Sequence, residues 1–257
     1  MTILIGLLLV SLFFLAFPGA DIWASGLFYA PGEGFWVKTV PFFIRIRELG
    51  PFLVKLVAAA CLVILLLKLI VPYRKALVDL RWPLYLLSTL ILGPGLIVNG
   101  LLKNNWGRPR PWMVEQFGGE FPYVPVWEIT DYCQRNCSFV SGEGSASAWF
   151  LSLAFLVPVL WRRPAVVAIV TFMIVMSLNR IAFGGHFLSD TLLSWGITLL
   201  VMRVSYWVFF THPPQFLTSD YLEAAFSRIG EKLNTATRKV LGRSGYLLTS
   251  FFSKFSR

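Results

Sequence analysis

PFLVKLVAAACLVILLLKLIV, residues 51–71, is the stretch on which the fold turns: its only charges are Lys55 and Lys68, and after the opening proline it holds no turn-forming residue. A helix needs about 20 mostly apolar residues to cross a hydrocarbon layer, and this run has that length. Comparable runs occupy residues 3–17, 83–102, 146–161, 164–183 and 188–210. The composition agrees, with 56% hydrophobic and 14% charged residues, against about 25% charged in an ordinary soluble domain. The expectation is an all-α polytopic membrane protein, with a six-helix domain over 1–212 and a tail over 213–257. Pro51, Pro83 and Pro164 head their runs, as suits a first helical turn. The 3–17 run has no Lys or Arg before it, so it reads as a retained anchor and not a signal peptide. The aromatic stretch 21–50 reads as lying at the membrane interface.

Net charge is +10. No nucleic-acid-binding motif accompanies it, so nucleic acid is not an expected partner; the membrane is. Lys and Arg cluster after the second run (Arg74, Lys75, Arg81), after the fourth (Arg162, Arg163) and along the tail. With six spans these fall on one side, which the excess of positive charge marks as cytoplasmic. Both termini are then cytoplasmic, and 103–145 and the turn at Gly184-Gly185-His186 face the periplasm. The tail reads as one or two basic amphipathic helices on anionic lipid, with Leu222, Phe226, Ile229, Leu233, Leu247, Phe251 and Phe252 on the apolar face and Arg238, Lys239, Arg243, Lys254 and Arg257 among its charges. His212, at its start, reads as structural.

Cys61 lies inside an apolar run and reads as packing. Cys133 and Cys137 sit in a polar loop without the second pair or the His that a zinc site would need. In a periplasmic loop they are candidates for a local disulfide.

Charged groups beside apolar runs carry the functional reading. In order these are Lys103 with Arg110-Pro111, then Ser141-Gly142-Glu143, then Arg180 with His186 and Asp190. One Lys and two Arg suit a phosphate dianion, because fixed cations offset the charge spread over its oxygens and the guanidinium fork binds two oxygens together. Gly142 lets backbone approach an anion. His186 and Asp190, four apart, share a face if helical. A direct bond from Asp190 to one ring nitrogen would leave the other free to attack phosphorus. Alone, each has a blander reading: Arg180 as a snorkelling side chain, Ser-Gly-Glu as a common tripeptide, His186 as a structural residue. Arg108, off this pattern, reads as a surface or headgroup contact.

Together the three motifs resemble the type 2 phosphatidic acid phosphatase (PAP2) family. The first and third match fully. The second, Pro-Ser-Gly-His in the family, here reads Val140-Ser141-Gly142-Glu143. The resemblance implies Lys103, Arg110, Ser141, Gly142 and Arg180 as phosphate ligands. It implies His186 as a nucleophile forming a phosphohistidine, and Asp190 as its orienting partner. It implies no metal and no cofactor. The family's motif-two histidine protonates the leaving oxygen; Glu143 stands in its place, either as the acid or as a partner for a cation. The implied substrate is an envelope lipid: lipid A, undecaprenyl pyrophosphate or phosphatidylglycerol phosphate, with lipid A first on the resemblance alone. The loop 112–125 is expected to help select it. The alternatives are a lipid phosphotransferase and a non-catalytic lipid-binding or transport protein.

Overall fold

The computed structural model describes residues 2–254, and of 238–254 the helical backbone alone. Among the described residues there are eight helices and no strand: α1 (Thr2–Ala16), α2 (Gly19–Gly26), α3 (Pro41–Ile70), α4 (Arg81–Asn105), α5 (Gly142–Trp149), α6 (Val159–Ala182), α7 (Leu188–Thr211) and α8 (Ser219–Lys254). The chain forms two compact units. One combines the residues up to Val57 with Leu86–Tyr206; the other combines Ala58–Tyr85 with the chain from Trp207 onward.

Four helices, α3, α4, α6 and α7, are long and apolar enough to cross a membrane, and α1 with α2 makes a fifth if the bent pair is one span. The sixth expected span, 146–161, is not one helix. It divides into α5, a 3-10 stretch Phe150–Phe155, and the start of α6 after Pro158. Its small residues explain why. Ser147 and Ser152 turn their hydroxyls back onto the carbonyls of Gly144 and Trp149. Gly142, Gly144 and Ser145 are buried, as suits close helix packing. Here α5 is core and not a lipid-facing span. Ser145 and Thr198 hydroxyls lie 2.6 Å apart, and Trp149, fully buried, donates to the Leu86 carbonyl at 3.2 Å and to the Thr89 hydroxyl at 3.1 Å.

Two helix starts also differ from the sequence reading. Helix α3 begins at Pro41 and runs through Pro51, so much of the expected interfacial stretch is helix, and Pro164 lies inside α6. The bend between α1 and α2 is 86°. It turns Asp21 into the interior, where it is fully buried. The core of this unit joins Phe14 of α1, Val98 of α4 and Leu193 of α7 to Val126, Phe139 and Val140 of the long α4–α5 connection. Within α4, Ile91–Leu102 widens to π-helical turns around Pro94, whose ring removes a backbone donor. Asn99 donates from its side chain to the Pro94 carbonyl at 2.7 Å.

In the second unit, α8 is tied to the end of α3. Lys68 Nζ is 2.5 Å from Glu223 and donates to the carbonyls of Pro72 and Arg74. Asn234 donates to the Ile70 carbonyl. Leu222 is buried, whereas Ile229 and Leu233 stay exposed. The side chains of Leu247, Phe251, Phe252 and the charges from Arg238 onward lie outside the described residues. His212 packs on Trp207, ring centres 4.8 Å apart.

Candidate active site

The first unit brings all eight candidate side chains and backbone positions to one end of α4, α5, α6 and α7. Lys103 comes from the last turn of α4 and is 7% exposed. Ser141 caps α5, its hydroxyl accepting from the Gly144 amide at 3.0 Å. The Ser141 amide donates to the Asp190 carbonyl at 3.1 Å, which ties the α5 start to α7. Gly142 packs closely on its neighbours. A Cβ there would stand 2.7 Å from Asn99 Oδ1 and 3.3 Å from Lys103 Nζ. Arg180 ends α6 at 3% exposure, and a Cβ on Gly185 would meet its guanidinium at 2.5 Å.

His186 and Asp190 are both fully buried, but they do not bond directly. The ring Nδ1 is 3.9 Å from Asp190 Oδ2 and 2.7 Å from the Ser138 carbonyl oxygen. The reason lies in the turn: His186 precedes the first residue of α7, so helical i,i+4 geometry does not carry its ring onto Asp190. Ser138 bridges them. Its hydroxyl donates to Asp190 Oδ2 at 2.5 Å while its carbonyl meets the ring. A carbonyl can only accept. Nδ1 therefore carries a proton, and a neutral ring has its lone pair on Nε2. That Nε2 is buried and has no hydrogen-bond partner.

Arg108 is the largest departure from the sequence reading. It is not at the surface; it is 0% exposed. Its guanidinium pairs with Asp190 Oδ1 at 2.6 Å and Asp21 Oδ2 at 2.8 Å, donates to Ser189 Oγ and the Val124 carbonyl, and lies 4.5 Å from the Phe187 ring centre. Burial alone would weaken its hold on the proton, but the carboxylates of Asp190 and Asp21 outweigh that and keep it more basic than an ordinary guanidinium. Asp21 is further held by the Ser189 amide and hydroxyl. Sequence signals existed for both. Arg108 sits between Gly107 and Pro109 in a stretch already rich in motif residues, and Asp21 is the first charged residue in the chain. Ser138, as a bridge through its main chain, left no such signal.

Glu143 lies among the cations. Its Oε2 is 3.2 Å from Arg180 Nε, an ion pair short of hydrogen-bond geometry, and 3.8 Å from His186 Nε2; its Oε1 is 3.9 Å from Arg47 Nε. Burial pushes the carboxyl up, but His186, Arg180 and Lys103 together pull it well below the usual carboxylate range. The group is an anion in this arrangement. Arg110 faces the same space while its guanidinium donates twice to the Asn136 carbonyl, at 2.9 and 2.6 Å. Cys133 and Cys137 are bridged, with Cα atoms 5.6 Å apart, just ahead of Ser138. Cys61 is free and buried. Among the described residues no group of three or more His, Cys, Asp and Glu is arranged to hold a metal ion.

A cavity of about 790 Å³ opens from this cluster between α3, α4 and α5. Lys103, Gly142 and Glu143 line its polar end; Val54, Leu90, Ile91, Leu96 and Met176 line the rest. The arrangement can take an anion against cations, present a nitrogen lone pair to it, and hold an apolar body alongside.

Residues 82–214 match the PAP2 superfamily, and the chain belongs to that superfamily: it is a membrane phosphatase. It is similar to the lipid A 4'-phosphatase of Rhizobium leguminosarum, 33% identical over 205 residues covering 73% of this chain and 86% of that protein. It is equally similar to the lipid A 4'-phosphatase of Francisella tularensis subsp. novicida, 33% identical over 188 residues, 70% of this chain and 81% of that protein. A lipid A 4'-phosphatase of Rhizobium etli is 40% identical over 115 residues, 45% of each chain. No solved structure matches significantly. The apolar helices and these relatives make the chain a bacterial multi-pass membrane protein.

Removing Arg108 leaves two carboxylates, Asp21 and Asp190, buried without their shared cation. Breaking a buried ion pair costs about 3–5 kcal/mol. Arg108→Met is expected to unfold at a clearly lower temperature in detergent and to lose activity, although Arg108 faces no substrate. A melting temperature equal to that of the wild type would refute a structural role for this cluster.

Proposed function

We propose that the protein removes a phosphate from a lipid A-type envelope lipid, with His186 as nucleophile. The observation that carries this is the His186 imidazole: buried, fixed at Nδ1 by the Ser138 carbonyl, and without a hydrogen-bond partner at Nε2, which lies 3.8 Å from the Glu143 carboxylate that Arg180 holds. The neighbouring apolar cavity supports a lipid as substrate. Similarity to lipid A 4'-phosphatases favours lipid A over other phosphorylated envelope lipids.

In this reading the phosphate enters against Lys103, Arg110 and Arg180, with the Ser141 hydroxyl and the Gly142 amide adding hydrogen bonds. Nε2 attacks phosphorus and the bond to the lipid oxygen breaks, leaving a phosphohistidine. The imidazolium that forms is stabilised by Asp190 through Ser138. Water then attacks phosphorus, the P–N bond breaks, and inorganic phosphate leaves.

Glu143 lies near both Nε2 and Arg180, in the space the phosphoryl group takes in this reading. Incoming phosphate takes Arg180 and moves the carboxylate toward the cavity, whose wall it already forms. There the lipid oxygen departs. Loss of the Arg180 pull and proximity to phosphate oxygens raise its proton affinity, and Glu143 serves as the general acid. The membrane is the inner membrane and the site faces the periplasm, a reading supported by Lys and Arg flanking the other ends of the apolar runs.

His186→Ala is expected to lower phosphate release from purified lipid A by roughly 10⁴-fold or more, as for loss of a catalytic nucleophile; near-normal turnover would end the phosphohistidine mechanism. A general acid must carry its proton, so kcat is expected to fall as pH rises through the Glu143 pKa in the complex, where phosphate raises it. Glu143→Gln should slow lipid phosphates by about 10²-fold or more and spare an aryl phosphate whose leaving group needs no proton. Equal losses on both substrates would mean that Glu143 only balances cations. Orientation is tested in intact cells carrying a single cysteine at position 120, with the native cysteines replaced. An impermeant maleimide should label it without opening the inner membrane, and labelling only after permeabilisation would reverse the assignment.

A further inference from the structure

The site holds more positive charge than one phosphate requires. A second, smaller cavity of about 290 Å³ adjoins it, lined by Lys38, Arg47, Arg110, Trp112, Arg180 and Phe183 among others. Two of these cations, Arg110 and Arg180, belong to the phosphate site. Lys38 and Arg47 do not, and no motif predicted them. They come from a different part of the chain: Lys38 from the short 3-10 turn Trp36–Thr39, Arg47 from the second turn of α3.

Lys38 is placed by aromatic rings, and Arg47 by a ring and the Glu143 carboxylate. Lys38 Nζ sits 5.5 Å from the centre of Phe35 and 5.6 Å from that of Trp112. Arg47 lies 5.8 Å from the centre of Phe183. Ring faces attract cations without neutralising them. Lys38 feels the cluster: burial, then Arg180 and Arg110, make its ammonium easier to deprotonate than an ordinary lysine. Glu143 lies 3.9 Å from Arg47, and Arg108 is shared by Asp21 and Asp190. The cations Lys38, Arg47, Lys103, Arg108, Arg110 and Arg180 thus stand against the carboxylates of Asp21, Glu143 and Asp190. A phosphate dianion leaves one of their charges unmatched.

We propose that Lys38 and Arg47, with the Trp112 ring beside Lys38, form a second anion subsite for a second anionic group, phosphate or carboxylate, carried by the same substrate molecule. This rests on the phosphatase reading and adds to it. The enzyme selects amphiphiles bearing at least two anionic groups, one cleaved and one held. The aromatic wall fits that use. Trp112 is 48% exposed and its amide donates to the Gly184 carbonyl at 3.2 Å, so the ring is anchored by its main chain while its face stays open to a ligand. Arg110 and Arg180 line this smaller cavity, and Arg180 lies 3.2 Å from Glu143 at the polar end of the larger one, which places the groups they serve next to each other. The second group must therefore lie close to the scissile phosphate or reach back to it on a flexible arm.

The test uses the full-length protein in detergent, with two synthetic glycolipids of matched acyl chains, one carrying a single phosphate and one carrying a phosphate and a second anionic group. Lys38→Met is expected to lower the wild-type preference in kcat/KM for the two-anion lipid by about tenfold, the size of one charge-assisted hydrogen bond, and Lys38→Arg is expected to retain it. An unchanged preference in Lys38→Met would overturn the subsite, whether both substrates weaken equally or neither does. Binding of the same two lipids to His186→Ala protein, with and without Lys38→Met, keeps the two readings apart. If the wild type cleaves neither lipid but binding still favours two anions through Lys38, the phosphatase reading falls and the subsite stands. If binding shows no preference that depends on Lys38, the subsite falls whatever the turnover.

Discussion

One buried guanidinium holds this site together. Arg108 lies between Asp21 and Asp190, out of reach of solvent, with every neighbouring oxygen committed to it or to a backbone amide. Charges this deep are tolerable only when paired and hydrogen-bonded. That requirement fixes geometry in three directions. Through Asp21 it sets the inward bend between α1 and α2. Through Asp190 it sets the start of α7. Through Ser138, whose hydroxyl answers Asp190, it sets the carbonyl that orients His186. The His186 ring is thus positioned by a chain of contacts in which the Asp190 carboxylate acts at one remove.

The second determinant is how little space the polar end allows. Gly142, Gly144 and Gly185 each lie where a Cβ would strike a functional side chain or its immediate support: Lys103 and Asn99, Ser141 and Ser194, and Arg180. These glycines let backbone and cations close around an anion, as phosphate recognition through main-chain amides demands. The opposite wall is apolar and leads between α3 and α4. A polar head and an apolar body are accommodated in one continuous space, which is the physical signature of a site for amphiphiles. Glu143 at the junction is an anion in a cage of cations, and it distinguishes this chain from a site built with histidine there. A carboxylate there lowers the net positive charge of the cluster.

Much of this was legible in the chain itself. Long apolar runs announce a membrane protein because hydrocarbon tolerates few charges and demands internally satisfied backbone. Charged residues beside those runs announce a site for the same reason, and the order of Lys103, Arg110, Ser141, Gly142, Arg180, His186 and Asp190 is local information, readable residue by residue. Tertiary structure decided what depends on partners distant in sequence. The run 146–161 reads as a span from hydropathy, yet its serines and glycines pack it inside as a broken helix. Arg108 and Asp21, 87 residues apart, look unrelated until the fold brings them to 2.8 Å. The Ser138 carbonyl that sets the tautomer of His186 belongs to the main chain and has no residue-type signature at all. Sequence determines which side chains can do chemistry, because that is a property of single residues. Which proton each one carries depends on the neighbour that folding supplies.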